Sequence, residues 1–128
     1  MASVLLIDDS PTIAHFVRIS LALDGHAVQV PRSFVTLAAD VARHPPDLVL
    51  LDLGMPALSG VTVGLLLREH LDPATPIVVY SSRTPEELLE AARTVGARGF
   101  LQKNGSVADL RAMVARALRV SHRPAHRA

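Results

Sequence analysis

Three acids, two hydroxyls and one amine stand at the ends of short apolar runs in this 128-residue chain. Asp8 and Asp9 follow Val4-Leu5-Leu6-Ile7, and Asp52 follows Leu48-Val49-Leu50-Leu51. Ser81 and Ser82 follow Ile77-Val78-Val79-Tyr80, and Lys103 lies just past Gly99-Phe100-Leu101-Gln102. Three carboxylates brought within a few ångströms repel one another unless something neutralises them. A donor set of oxygens without His or Cys suits a hard divalent cation, Mg2+ first among them. Lys103 is the only lysine beside twelve arginines. A compact ammonium kept where guanidinium is otherwise preferred fits a carboxylate or phosphoryl oxygen as partner. Taken singly, each group has an ordinary reading: a helix-cap or loop acid, a turn serine, an exposed lysine. Their recurrence at strand ends argues for a shared site.

The elements that must position these groups alternate along the chain. Val4–Ile7 reads as a strand buried on both faces. Ser10-Pro11 then opens a helix carrying Ile13, Phe16, Val17 and Leu21, which Gly25 closes. Residues 27–30 form a second strand, and Ser33 is expected to cap a second helix with Phe34, Leu37, Ala38 and Val41, stopped by Pro45-Pro46. Leu48–Leu51 is the third strand; the loop through Gly54, Met55 and Pro56 leads to a helix over residues 59–70 with Leu65 and Leu66 inward. Residues 76–80 give the fourth strand, and Thr84-Pro85-Glu86-Glu87 a capping box for a helix with Leu88, Leu89, Ala92 and Val95 before Gly96. Gly99–Gln102 is a short fifth strand, and Ser106 with Asp109 a second capping box for a helix bearing Leu110, Met113, Val114, Ala117 and Leu118. Five strand–helix units imply right-handed crossovers and a five-stranded parallel sheet, doubly wound, in a flavodoxin-like three-layer α/β sandwich. In such sheets sites form beyond the carboxyl ends of the strands, where all these groups fall.

Composition narrows the function classes. Apolar residues make up 49% and charged residues 20%, a globular balance. The absence of Cys excludes disulfide scaffolds, thiolate nucleophiles and Cys-ligated metals. No apolar run approaches a membrane span, and the N-terminus lacks the basic start of a secretory signal, so a cytoplasmic domain is expected. With 3% aromatics there is no stacking platform for single-stranded nucleic acid. No G-x-G-x-x-G or G-x-x-x-x-G-K-[ST] element follows a strand, and no helix-turn-helix is left over once five helices cover the sheet. The formal net charge of +1 hides a split: residues 1–90 carry five Arg against eleven Asp and Glu, while residues 91–128 carry seven Arg and Lys103 against Asp109 alone. The six histidines show no ligand spacing except His122 and His126, in a tail over residues 121–128 that is expected to be flexible beyond a domain at 1–120.

Read together, Asp8-Asp9, Leu51-Asp52, Met55-Pro56, Gly60, Ser81, Gly99-Phe100 and Lys103 occur in an order that resembles the receiver domains of two-component response regulators. The resemblance is closest to single-domain, chemotaxis-regulator-like members. It implies that Asp52 accepts a phosphoryl group from a histidine kinase or histidine phosphotransfer protein. It implies further that Asp8, Asp9, Asp52 and the Gly54 backbone carbonyl hold Mg2+, while Ser81 and Lys103 bind the phosphoryl oxygens. Ser81 and Phe100 would be the switch, repacking the surface of the fourth helix, fifth strand and fifth helix for a downstream protein. That surface could also support a weak dimer. Such a domain is no turnover enzyme; it promotes only its own phosphorylation and dephosphorylation.

Three positions depart from the usual pattern. Asn104 stands where Pro normally follows the lysine in a cis bond; a cis bond costs about 3 kcal/mol before other residues. A trans bond, a rearranged Asn104-Gly105 loop and a less firmly placed Lys103 are therefore expected. Gly54 leaves no side chain two residues past Asp52, and Ser82 replaces a smaller residue after Ser81. These departures motivate an alternative, a phosphorylation-independent pseudo-receiver that acts as a protein-interaction module. A small phosphatase or nucleotide-binding domain on the same architecture is a third reading.

Overall fold

The computed structural model describes residues 1–55 and 59–121. Pro56, His122 and His126 lie outside the described residues. The elements run β1 (Ser3–Ile7), α1 (Pro11–Ala22), β2 (Ala27–Gln29), α2 (Leu37–Arg43), β3 (Leu48–Leu51), α3 (Gly60–His70), β4 (Ile77–Ser81), α4 (Pro85–Val95), β5 (Gly99–Gln102) and α5 (Val107–Ser121). All strand pairs are parallel and the spatial order is β2-β1-β3-β4-β5. This is the doubly wound sheet that the alternating pattern predicts.

Strand parity divides the core in two. Leu5, Ile7, Val49, Leu51, Ile77 and Val79 face α2, α3 and α4, where Leu37, Val41, Val63, Leu67, Leu88 and Val95 meet them. Val4, Leu6, Leu48, Leu50, Val78 and Tyr80 face α1 and α5, against Val17, Leu21, Leu110 and Val114. Because side chains alternate across a strand, an uninterrupted apolar run fills both layers at once. The strand order reverses between β1 and β3, so the carboxyl ends that carry Asp8 and Asp52 flank the switch point, where open α/β sheets form their crevice.

Three local expectations are corrected. In α3, Leu65 and Leu66 are 46% and 39% exposed; Val63 and Leu67 face the core, one turn apart and beside Gly60 and Gly64. The run Leu65-Leu66-Leu67 is apolar all round, so composition alone could not phase it. Ser33 does not cap α2: its Oγ accepts from the Val35 N–H, Thr36 holds the N-cap position but its hydroxyl donates to Asp40 Oδ2 instead of accepting from a helix N–H, and Phe34 packs on the core ahead of the helix. At α5, Ser106 Oγ accepts from Asp109 N–H as expected, but the return half of the box is made by Asn104, whose Oδ1 accepts from Ser106 N–H.

The box at α4 is complete: Thr84 Oγ1 accepts from Glu87 N–H, and Glu87 Oε1 accepts from Thr84 N–H. These Thr84 bonds, backbone first, hold the Glu87 carboxyl below its ordinary value of 4.5. A carboxylate with a depressed folded pKa contributes stability that is fully present above its unfolded value and is lost as pH falls through the folded one. Thermal melts of the wild type should therefore fall below about pH 4.5 more steeply than those of Glu87→Gln, which keeps an acceptor but does not titrate. Parallel slopes for the two proteins would contradict this role.

Candidate functional site

At the carboxyl ends of β1, β3, β4 and β5 the chain brings together residues separated by up to 95 positions. Asp52 is held by its backbone N–H donating to Ile7 O at 2.9 Å, which locks the end of β3 to β1. Lys103 is held in the same manner, its N–H donating to Ser81 O at 2.9 Å. Carboxylate oxygens of Asp8, Asp9 and Asp52 all lie within 4.8 Å of one another. Asp8 and Asp52 are buried, whereas Asp9 is exposed.

The Lys103 ammonium bridges the two buried acids, 2.6 Å from Asp8 Oδ2 and 3.3 Å from Asp52 Oδ1. It also sits 5.8 Å from the centre of the Tyr80 ring, within cation–π range. Burial, and then the nearby Asp8 charge, push the Tyr80 phenol above its ordinary pKa. The other oxygen of Asp8 accepts from Ser10 N–H at 2.9 Å, so the turn that starts α1 also orients this carboxylate. One ammonium against three carboxylates leaves two formal negative charges, the charge that one divalent cation cancels.

Ser81 is 1% exposed, and its hydroxyl has no hydrogen-bond partner. Leaving a buried hydroxyl unpaired costs about 1–3 kcal/mol, so this one is poised for an acceptor. Ser81 shares its sheet face with Phe100: Val79 pairs with Phe100, Ser81 lies two residues along β4, and Phe100 packs on the α2–α3–α4 core half-buried. The two are diagonal neighbours on adjacent strands, within reach of a shared repacking.

Two glycines shape the pocket differently. A Cβ at Gly54 would stand 3.9 Å from both Asp52 oxygens in ordinary contact, so the approach to the carboxylate is open on that side. A Cβ at Gly60 would lie 2.2 Å from the Asp52 carbonyl oxygen and 2.7 Å from Leu53 Cα. Helix α3 therefore packs directly on the backbone that carries Asp52, and no side chain fits between. Gly60→Ala should cost about 1–3 kcal/mol in urea unfolding and displace Asp52 as well. A wild-type midpoint would refute the close approach.

The Lys103–Asn104 bond is trans, since no cis peptide occurs among the described residues. The expected loosening of Lys103 is corrected, for its ammonium holds two carboxylates and the Asn104 side chain ties the loop after it to Ser106 and Asp109. Sequence reasoning missed Tyr80 and Ser10 as neighbours of the acid cluster. Tyr80 is the only tyrosine, and its place directly before Ser81 on the opposite face was the available signal.

The profile of the response regulator receiver domain family matches residues 4–115. The transcriptional regulatory protein KdpE of Mycobacterium tuberculosis is 38% identical over 120 residues, 91% of this chain and 52% of that protein. KdpE of Escherichia coli is 34% identical over 119 residues, 93% of this chain and 52% of its own length. The chain thus spans about half the length of these relatives. Among solved structures, chemotaxis protein CheY4 of Vibrio cholerae superposes with a TM-score of 0.81 at 27% identity, covering 91% of this chain and 98% of that one.

Proposed function

This chain belongs to the response regulator receiver domain family of two-component systems, and from that premise we propose that Asp52 is its phosphoacceptor. Receiver domains are signalling domains rather than turnover enzymes. The observation that carries the reading is the Asp52 carboxylate, buried between Asp8, Asp9 and Lys103 at the strand-order switch. A carboxylate oxygen of Asp52 attacks the phosphorus of a phosphohistidine in line. The new O–P bond forms as the N–P bond breaks, and the imidazole, protonated on its other nitrogen, leaves neutral.

The donor set fits Mg2+: oxygen ligands only, two of them buried, and a residual charge of the matching size. Asp8, Asp9, Asp52 and the Gly54 carbonyl would hold it. When bound, the ion supplies positive charge to the phosphoryl oxygens and screens the acids from one another. Lys103, 3.3 Å from Asp52 Oδ1, would offset charge on a phosphoryl oxygen, and the unpaired Ser81 hydroxyl would donate to one. Drawing Ser81 toward that group frees space beside Phe100, whose inward turn would alter the α4–β5–α5 surface that a downstream protein reads. Exposed Arg93, Arg98, Arg116 and Arg119 lie on α4, on the turn into β5 and on α5, but α4 also exposes Glu86, Glu87 and Glu90 and α5 exposes Asp109, so the charge offered by these elements is mixed. The donor is a histidine kinase or a histidine phosphotransfer protein, and the expected location is the cytoplasm. No helix of the described residues is long and apolar enough to cross a membrane.

Incubation with a small phosphodonor and Mg2+, read by intact mass, should add one phosphoryl group per chain. Omitting Mg2+ or adding a chelator should remove the labelling. Metal-independent labelling, or none, would overturn the proposal. A phosphorylation-independent binding module is not favoured, because the acids and the lone lysine are all retained and converge.

A further inference from the structure

We infer that Asn104 is a positioning residue for Lys103, latching the loop after β5 to the first turn of α5 and so setting how far the ammonium reaches toward Asp52. This rests on the phosphoacceptor reading above. Lys103 ends an ordered ladder, its N–H donating to Ser81 O. The next residue uses both ends of its side chain: Asn104 Oδ1 accepts from Ser106 N–H at 2.9 Å, and Nδ2 donates to Asp109 Oδ2 at 2.8 Å. Gly105, at φ +76°, turns the backbone between them, a conformation that glycine adopts without strain.

The receiving end of the latch is itself fixed. Asp109 N–H donates to Ser106 Oγ at 3.0 Å, and Leu110 N–H to Ser106 O at 3.2 Å. Leu110 is fully buried in the core under α5, and Arg111 clasps Asp24 at 2.7 Å and 2.9 Å. Lys103 is thus strung between the sheet on one side and an anchored helix on the other. Its ammonium is shared unequally, 2.6 Å from Asp8 and 3.3 Å from Asp52. The Asp52 contact is the longer of the two, so it is the one that a shift of the loop after β5 would weaken first. The amide supplies an acceptor for Ser106 and a donor for Asp109 on separate atoms, which neither a carboxylate nor an aliphatic side chain at this position can do.

The test compares the wild type with Asn104→Asp and with the exchanged pair Asn104→Asp/Asp109→Asn. The single change keeps the acceptor for Ser106 but sets a carboxylate against Asp109. The exchange restores one amide facing one carboxylate at unchanged net charge. Each protein is titrated with Mg2+, then with beryllofluoride, a mimic of the acyl phosphate, at saturating Mg2+. Tyr80 fluorescence is the readout, since the chain has one Tyr and no Trp and this ring lies beside Lys103.

The expected result for Asn104→Asp is beryllofluoride binding weakened about three- to tenfold, with Mg2+ affinity within about twofold of wild type. The exchanged pair should recover wild-type beryllofluoride binding. A single variant that binds like wild type, one that loses both ions together, or a loss the exchange does not recover would each overturn the inference. If the wild type fails to respond to beryllofluoride with Mg2+, the phosphoacceptor reading itself falls, and this one with it.

Discussion

Asp52→Ala is expected to abolish phosphoryl incorporation and leave the chain folded. The argument is chemical first. Asp52 offers a buried carboxylate with its outer side open past Gly54, beside an ammonium and two further acids. Asp8 is already committed to Lys103 and to Ser10 N–H, and Asp9 is exposed and makes no contact with the ammonium. Neither offers a second acceptor of the same quality. The fold should tolerate the loss because Lys103 keeps its contact with Asp8 at 2.6 Å, and because one of three mutually repelling charges is gone. In the absence of metal the melting temperature should hold or rise. Intact mass after donor treatment and a thermal melt measure both halves. Undiminished labelling would move the acceptor elsewhere.

Lys103→Ala should reduce the labelling rate by about 100- to 1000-fold, the usual effect of removing one preorganised group that stabilises developing charge. Its effect on the cation should run the other way. The ammonium lies between the two buried acids, so it opposes a divalent cation there by direct repulsion. Taking it away leaves three carboxylates uncompensated, and Mg2+ should bind several-fold more tightly. Slower phosphorylation with tighter metal binding is a signature that partial unfolding cannot imitate, since unfolding would weaken both. Equal loss of the two would mean that Lys103 serves the fold rather than the phosphoryl group.

The layered fold was legible in the sequence because its period is simple. Val4–Ile7, Leu48–Leu51 and Ile77–Tyr80 are apolar without a break, so both sheet faces had to be covered, and the Thr84 and Ser10 caps marked helix starts that the structure keeps. Phase within α3 was not legible, because three successive leucines offer the core three choices and packing of Gly60 and Gly64 decides among them. Nor was the start of α2, where Ser33 uses its hydroxyl on a turn instead of a helix end.

The candidate site was readable as a set of residue types at strand ends, since parallel strands must deliver their carboxyl ends to one rim. Its internal contacts were not. That Lys103 is shared by Asp8 and Asp52, that Tyr80 lies beneath it, and that Asn104 is tied to Asp109 depend on side-chain directions no spacing encodes. Gly60 belonged to the motif, but its reason, a carbonyl 2.2 Å from where a Cβ would stand, needed coordinates.

The most direct measurement is an amide NMR comparison of the chain alone, with Mg2+, with beryllofluoride, and with both. Joint addition should shift Asp52, Ser81, Phe100 and Lys103 together and carry the change into α4 and α5, while beryllofluoride without the metal leaves the spectrum unmoved. Spectra that do not change with both ligands present, or that change equally without Mg2+, would contradict the account.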